Sequence, residues 1–346
     1  MQPERRPAQP ASSGVCGLNI FSTCPQSKDS LPGDYVDRVV EVAEWSETAG
    51  YSGILVYTDN SLVDPWMVSQ EILKATSQLS PLVAVQPIYM HPYAVAKMVA
   101  SLAFLYERKI YLNMLAGGFV NDLKALGDET PHDDRYARTG EYTRIVRGVL
   151  EAERGFSFSG QYYRVAGLRM APPVPEALRP GILLSGSSPA GLACAEEVGA
   201  TAIRYPQPPS EEPGIPEGSS IDFGVRVGVI ARESAEAAWA VAHARFPDDR
   251  HGELRHQLAM KVSDSHWHRQ LSGTAEEDAD ASVYWLHPFK SGKTFCPYLV
   301  GSHAQVGALL RTYVQQGFRT FILDIPPDRE EVHHTGQAFR LAAGGG

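Results

Sequence analysis

Short apolar segments alternate with helical patterns along most of the chain. The segment 17–21 is apolar and is followed by a polar loop, and the segment 53–57 is apolar again. Between them, apolar residues recur at the spacing of one buried helix face, at Val36, Val39, Val40 and Ala43. The first sixty residues therefore predict a strand, a helix and a second strand.

The same unit then repeats. Further strands are predicted at 82–86, 110–114, 181–185, 201–205, 223–231 and 318–325, with helical patterns between most of them. Strands buried on both faces and joined by helices indicate a parallel sheet. A doubly wound open sheet is the alternative, but eight such units with right-handed crossovers favour an α/β fold of the eight-stranded (β/α) TIM-barrel type.

Four segments depart from this repeat. Residues 156–170 alternate like an inserted hairpin, and residues 206–220 are too rich in proline and glycine to form the helix expected after strand six. A second, polar insertion is expected at about 262–300. Residues 1–15 are expected to be a disordered lead before a single barrel domain at 16–340.

Composition excludes several functional classes. The net charge of −9 argues against binding to nucleic acid, and the absence of a long apolar run or secretory signal argues for a cytoplasmic protein without a membrane span. The four cysteines are far apart, which favours reduced thiols over disulfides or zinc. The two-residue spacing of His266 and His268 does not suit metal ligands on one helix face, so no metal is expected.

Polar residues at the ends of predicted strands are the candidate site, because β/α barrels carry their chemistry there. The candidates are Thr58, Asp59, Gln86, Asn113, Ser185 to Ser188, Tyr205, Arg226 and Asp324. Gln86 and Asn113 are two amides at equivalent places on neighbouring strands, where they can face one pocket and bind a planar heterocycle.

Two local motifs are candidates for phosphate binding. In 185–189 (SGSSP), Ser185, Gly186, Ser187 and Ser188 lead from a strand into a helix, where backbone N–H groups suit a phosphate. The alternative is an ordinary serine N-cap. His132 and Tyr136 lie four residues apart at the start of another helix; alternatively, Asp133 and Asp134 cap that helix and His132 is merely solvated.

The chain resembles the bacterial luciferase-like flavin monooxygenases, and within them the alkanesulfonate monooxygenase branch. The resemblance extends over most of residues 17–205 and continues more weakly beyond them. Its segments, in the family's order, are AGYSGILV, DPWMV, VAVQP, HPYAVAKMVASL, YLNMLAGG, HDDRYARTGEYT, FSFSGQYYRV, LLSGSS and AEEVGA.

The resemblance implies a cofactor, a reaction and partners. His132, Tyr136, Ser187 and Ser188 would hold the phosphate of reduced FMN, with Gln86 and Asn113 facing its ring. Such enzymes take reduced flavin from a separate NAD(P)H:flavin reductase, form a C4a flavin peroxide with O2 and oxygenate a small organic substrate. The family also implies a homodimer or tetramer.

Differences from the sulfonate enzymes leave the substrate open. Where those enzymes carry a cysteine, a histidine and a tyrosine, this chain aligns Leu62, Gly228 and Pro326, while the strand-seven Arg226 is retained. Arg226 is then the candidate catalytic residue together with Asn113. With Lys290 or Lys293 it can bind a carboxylate or sulfonate, or it can pair with Asp222 or Asp324.

Three other functions remain compatible with the sequence. One is an oxidoreductase of the same fold that uses the deazaflavin F420 and transfers hydride without oxygen. Another is a flavin-binding protein without turnover. The third is a phosphosugar-binding barrel unrelated to flavin.

Overall fold

The computed structural model describes residues 17–208, 211–216, 218–248 and 282–344. The lead predicted at 1–15 lies outside these residues, as do 262–281 of the second predicted insertion and therefore His266 and His268.

In the described part of the chain, strands and helices alternate as the sequence predicts. The strands are β1 (Asn19–Thr23), β2 (Gly53–Val56), β3 (Ser80–Val85), β4 (Tyr111–Met114), β5 (Phe156–Ser159), β6 (Arg164–Leu168), β7 (Gly181–Ser185), β8 (Thr201–Arg204), β9 (Phe223–Arg232), β10 (Tyr284–Trp285), β11 (Tyr298–Ser302) and β12 (Thr320–Leu323). The α-helices are α1 (Pro32–Thr48), α2 (Pro65–Ala75), α3 (Pro92–Tyr106), α4 (Val120–Ala125), α5 (His132–Glu151), α6 (Pro189–Val198), α7 (Ala235–Arg245), α8 (His287–Lys290), α9 (His303–Gln315) and α10 (Arg329–Ala342).

Eight of the strands form a closed parallel barrel in the order β1-β2-β3-β4-β7-β8-β9-β12. The barrel closes because β9 pairs with both β8 and β12, and β12 pairs with β1. The predicted fold class is confirmed. The predicted strands at 82–86 and 318–325 are observed at Ser80–Val85 and Thr320–Leu323, so the largest differences lie at element ends, where prediction is weakest.

The predicted hairpin is present as the antiparallel pair β5 and β6. The Glu141 carboxylate on α5 accepts hydrogen bonds at 2.6, 2.9 and 3.1 Å from the backbone N–H groups of Gln161, Tyr162 and Tyr163. Three charge-assisted hydrogen bonds fix the hairpin turn against α5.

No helix or strand follows β8 in the described residues between 205 and 222, as the prolines predict. A buried ion pair between Arg204 and Glu212 at 3.0 Å fixes this loop. The hydroxyls of Tyr284 and Tyr313 donate to the carbonyl oxygens of Pro206 and Gln207 at 2.8 and 2.7 Å. Side chains therefore satisfy backbone groups that a helix would otherwise pair.

Several elements were not predicted from the sequence, among them α4, α10, β10 and β11. Residues 228–232 of β9 pair with β11 rather than with a barrel strand, and β10 adds antiparallel to β11. These two strands were not predicted because the sequence before β11 is polar and lacks an apolar strand pattern. Helix α10 buries Val332, Ala338, Phe339 and Ala342 along one face, a helical pattern that the sequence description missed.

One apolar layer fills the barrel interior. It consists of Phe21, Leu55, Leu82, Leu183, Ile203 and Ile322, with Tyr57 and Tyr111 packed against it. Two residues further along the strands, on the same inward face, stand Ala84, Asn113, Ser185, Tyr205 and Arg226. The interior therefore changes from closely packed to small or polar towards the carboxyl ends of the strands.

Two kinds of feature are absent from the described residues, namely a membrane-spanning helix and a group of metal ligands. No helix there is both long and apolar enough to cross a membrane. No group of three or more His, Cys, Asp or Glu side chains in the described ranges has a geometry that would hold a metal ion.

A buried acid on α10 ties three elements together. The Glu331 carboxylate, 4% exposed, pairs with Arg232 of β9 at 2.9 Å and with Arg245 of α7. We predict that Glu331→Gln lowers the free energy of unfolding by about 3 kcal/mol, because it leaves buried guanidinium charge uncompensated. Urea denaturation measures this value.

The exposed ion pair between Glu71 and Lys74 provides the control for this prediction. Glu71→Gln should change the stability little, because solvent screens an exposed pair. Equal losses in the two variants would contradict a structural role for the Glu331 cluster.

Candidate active site

A pocket opens at the carboxyl ends of the barrel strands and has about 1110 Å³ of empty space, including its open mouth. Most of the predicted site residues line it, namely Thr58, Asp59, Gln86, Asn113, His132, Tyr136, Ser185, Ser187, Ser188, Tyr205 and Arg226, whereas Gly186 and Asp324 do not. The structure therefore brings together residues that lie up to 168 positions apart, from Thr58 to Arg226. Lys290 and Lys293, although described, are not among the lining residues.

The two serines of the loop after β7 differ in their contacts. Ser188 is the N-cap of α6, and its Oγ accepts a hydrogen bond from the Gly191 N–H at 3.1 Å. The Ser187 Oγ is buried and has no hydrogen-bond partner in the part of the chain that the structure describes. The N-cap alternative is correct for Ser188, whereas Ser187 keeps a free hydroxyl beside the first turn of α6.

Gly186 allows Tyr136 to reach this loop. A Cβ atom at position 186 would overlap the Tyr136 hydroxyl, and one at Gly191 would lie 3.2 Å from Tyr136 Cε1. The His132 ring stands edge-on to the Tyr136 ring with centroids 5.2 Å apart, and His132 Nδ1 lies 2.7 Å from Asp133 Oδ1. His132 is therefore part of the pocket wall, and Pro131 rather than an aspartate occupies the N-cap position of α5.

A buried ion pair holds the loop that leads into α5. The Asp128 carboxylate accepts from Arg138 Nη2 at 2.6 Å and from the Thr130 N–H and hydroxyl at 3.1 and 2.6 Å. The Arg135 side chain donates to the Thr130 carbonyl at 2.9 Å. These bonds fix the backbone just before His132 and thus the start of the helix that presents Tyr136.

The predicted amide pair lies on the neighbouring strands β3 and β4. Asn113 Oδ1 accepts from the Ser185 hydroxyl at 2.8 Å. Its Nδ2 group, which only donates, then lies on the other side of the amide. Gln86 Oε1 lies against Gly117, whose φ of +96° is a left-handed conformation that favours glycine. The loop after β4 therefore follows the pocket wall closely.

Arg226 lies on β9 with its guanidinium over the ring of Tyr57, 4.7 Å from the centroid. The predicted alternative of an ion pair with Asp222 or Asp324 is not observed among the described residues. Asp324 instead accepts a hydrogen bond from the Tyr298 hydroxyl at 2.8 Å. Burial raises the pKa of the Cys296 thiol well above its ordinary value, and the charge of Asp324 raises it further. The charge of Arg226 lowers this pKa and partly opposes both effects.

Several lining residues were not predicted from the sequence, above all Tyr57 and Phe295. Tyr57 could have been found by extending the strand alternation two residues past Leu55. Phe295 follows a polar stretch without any local signal. Its ring lies 6.3 Å from those of both Tyr57 and Phe119.

The three positions that differ from the sulfonate enzymes have different surroundings here. Leu62 lines the pocket. Gly228 faces the ring of Tyr298, which occupies the space that a side chain at 228 would need. Pro326 lines a separate small cavity beside β12. The expected anion-binding set is therefore reduced to Arg226.

Comparisons with known proteins agree with this geometry. The family model described as luciferase-like monooxygenase matches residues 18–320. The chain is 35% identical over 312 residues to the 4-(gamma-L-glutamylamino)butanoyl-(BtrI acyl-carrier protein) monooxygenase BtrO of Niallia circulans, covering 87% of this chain and 90% of that protein.

Similar solved structures include a monooxygenase and an F420-dependent dehydrogenase. The long-chain alkane monooxygenase LadA matches with a TM-score of 0.68 at 16% identity, covering 94% of this chain and 89% of LadA. An F420-dependent secondary alcohol dehydrogenase matches with a TM-score of 0.67 at 15% identity, covering 94% and 99%. At these identities the likeness shows the fold alone.

The Asp128 ion pair predicts an acid-sensitive contribution to stability. Burial by itself raises the pKa of Asp128, but hydrogen bonds from Arg138 and Thr130 and the charge of Arg138 lower it from 3.8 to about 2. The stabilisation is therefore complete above pH 3.8 and is lost as the pH falls through about 2. Urea unfolding of Asp128→Asn across this range should lack that component.

Asp37→Asn, at an exposed position of α1, is the control and should retain the wild-type acid dependence. If Asp128→Asn and the wild type lose stability in parallel as the pH falls, Asp128 does not contribute the acid-sensitive component.

Proposed function

Because the chain belongs to the luciferase-like monooxygenase family, we propose that it is a monooxygenase that binds reduced FMN in the barrel-mouth pocket and uses O2 to oxygenate a small organic substrate. Bound flavin would activate oxygen, while the protein binds and orients the substrate and excludes water from the pocket. The observation that carries this proposal is the free Ser187 hydroxyl beside Tyr136 at the first turn of α6.

The phosphate of FMN fits this end of the pocket. Ser187 Oγ is a buried donor without a protein partner in the described chain, and Ser188 keeps its hydroxyl proton while its oxygen accepts from Gly191. Tyr136 and His132 form the adjoining wall. Hydroxyls and backbone N–H groups at a helix start are the donors that bind phosphate, and a phosphate oxygen would satisfy Ser187.

The flavin ring would lie against β3, β4 and β7. The Asn113 Nδ2 group and the Gln86 side chain supply hydrogen bonds to a planar heterocycle, with Ser185 fixing the orientation of Asn113. Thr58 lines the same pocket from the end of β2. Arg226 and Asn113 are proposed to contact the reacting atoms.

The relative that is 35% identical is named for an acyl group on a carrier protein as its substrate. This name suggests that the substrate here also has an acyl group. We propose an acyl compound, free or carried by such a protein, as the substrate here. A separate NAD(P)H:flavin reductase would supply the reduced flavin, in the cytoplasm, and a homodimer or tetramer is expected from the family.

Anaerobic titrations with reduced FMN and reduced F420 distinguish the proposal from hydride transfer. We expect saturable binding of FMN, whose terminal phosphate would accept from Ser187, with F420 bound more weakly. Tighter binding of F420 than of FMN would contradict the proposal and favour an F420-dependent oxidoreductase. Binding of FMN without oxygen uptake in the presence of acyl compounds would support a protein without turnover.

The phosphate assignment predicts a specific mutant pattern. Ser187→Ala and Tyr136→Phe should each weaken FMN binding by about 1 kcal/mol, roughly fivefold, because each removes one hydroxyl donor. Riboflavin, which lacks the phosphate, should bind both variants and the wild type equally. Fluorescence titration measures both ligands.

Tyr162→Phe on the hairpin is the matched control, because Tyr162 does not line the pocket. If the Ser187 and Tyr136 variants bind FMN and riboflavin more weakly than the wild type does, and by the same factor, these hydroxyls do not contact the phosphate.

A further inference from the structure

A second set of donors is provided by Arg226 on β9 and by Tyr57 directly after β2. Arg226 Nε and Nη2 and the Tyr57 hydroxyl are buried, and none has a hydrogen-bond partner among the residues that the structure describes. Both side chains line the pocket, with the guanidinium stacked on the Tyr57 ring. Buried donors without partners are rare, so each needs an explanation.

No carboxylate in the described part of the chain forms an ion pair with Arg226. The neighbouring acid Asp324 accepts from Tyr298, and Asp59 on the same pocket wall accepts from the N–H and hydroxyl of Ser61 at 2.7 Å each. Neither acid pairs with Arg226 in the described ranges. A guanidinium cannot accept a hydrogen bond, so the group that satisfies it must be an acceptor, and an anion also balances its charge.

The surroundings of these donors are apolar and aromatic. Phe295 lies edge-on to Tyr57, Phe119 lies edge-on to Phe295, and Leu62 lines the same pocket. Such walls favour methylene groups over water. The matching ligand therefore combines an apolar chain with an anionic oxygen group.

We infer that Tyr57 and Arg226 form a subsite for a carboxylate of the acyl substrate, either the carboxylate of a free acid or a second carboxylate on a carrier-bound acyl chain. The flat guanidinium binds carboxylate oxygens side by side, and the Tyr57 hydroxyl donates to one of them. The inference rests on the proposed function, because the carboxylate would belong to the compound that is oxygenated. Tyr57 thereby becomes a specificity-determining residue.

Isothermal titration with three six-carbon probes tests the subsite. The probes are hexanoate, hexanamide and hexylammonium, titrated into the protein with oxidised FMN and, separately, without it. Hexanoate should bind at least about tenfold more tightly than hexanamide, because charge-assisted hydrogen bonds to the guanidinium are stronger than neutral ones. Hexylammonium should bind most weakly.

Variants assign the preference to the two residues. Arg226→Gln should remove the preference for hexanoate over hexanamide, and Arg226→Lys should keep part of it through its charge. Tyr57→Phe should weaken hexanoate binding several-fold. Tyr89→Phe, whose hydroxyl donates to Asn60 at 2.8 Å outside the pocket lining, should change nothing. Circular dichroism checks that each variant is folded.

The outcomes separate the subsite from the proposed function. The inference is overturned if the wild type binds the three probes alike, or if the preference survives both Arg226→Gln and Tyr57→Phe. It is also overturned if Arg226→Gln weakens FMN binding and leaves the hexanoate preference intact. If FMN does not bind but the preference depends on both residues in FMN-free protein, the proposed function fails and the carboxylate subsite stands.

Discussion

The alternation of side chains along eight parallel strands places the pocket, because all eight carboxyl ends meet at one rim of the barrel. One inward layer is filled by large apolar side chains such as Phe21 and Leu82. Two residues later the same face carries Ala84, Asn113 and Ser185, which are too small or too polar to fill the interior. The cavity is therefore a consequence of where the apolar pattern stops.

Hydrogen-bond donors from several elements surround this cavity. Ser187 lies in the loop after β7 and Tyr136 on α5, whereas Arg226 lies on β9 and Tyr57 directly after β2. Ion pairs outside the pocket hold the supporting backbone, as Asp128 with Arg138 does before α5. Ser187, Arg226 and Tyr57 carry buried donor atoms that have no partner among the described residues, so these atoms are available to a ligand without a rearrangement of the fold.

Much of this arrangement could be predicted from the sequence, for physical reasons. The helical spacing and the buried runs determine the eight barrel units, and small residues such as those of 185–188 mark a loop that approaches a ligand. The proline-rich segment after β8 excludes a helix. The proposed roles of His132 and Tyr136 come from the resemblance to a family, because local sequence alone left them open.

The remaining features depend on contacts between distant segments. Strand β11 is recognisable through its pairing with the end of β9, and Phe295 reaches the pocket from a polar stretch more than two hundred residues away from Tyr57. The sequence also could not show that Arg226 does not pair with Asp324, because Asp324 accepts a hydrogen bond from the distant Tyr298. No local pattern encodes such choices, because they arise from packing between segments that are far apart in the chain.

The reaction of the FMN-bound protein with oxygen tests the central claim most directly. Protein with anaerobically bound reduced FMN is mixed with oxygenated buffer while the flavin absorbance is recorded by stopped flow. A distinct absorbance phase before the return of oxidised FMN, shortened by an acyl compound that becomes oxygenated, is the predicted result. Direct return to oxidised FMN at the rate of free flavin, with no oxygenated product, would contradict monooxygenase function.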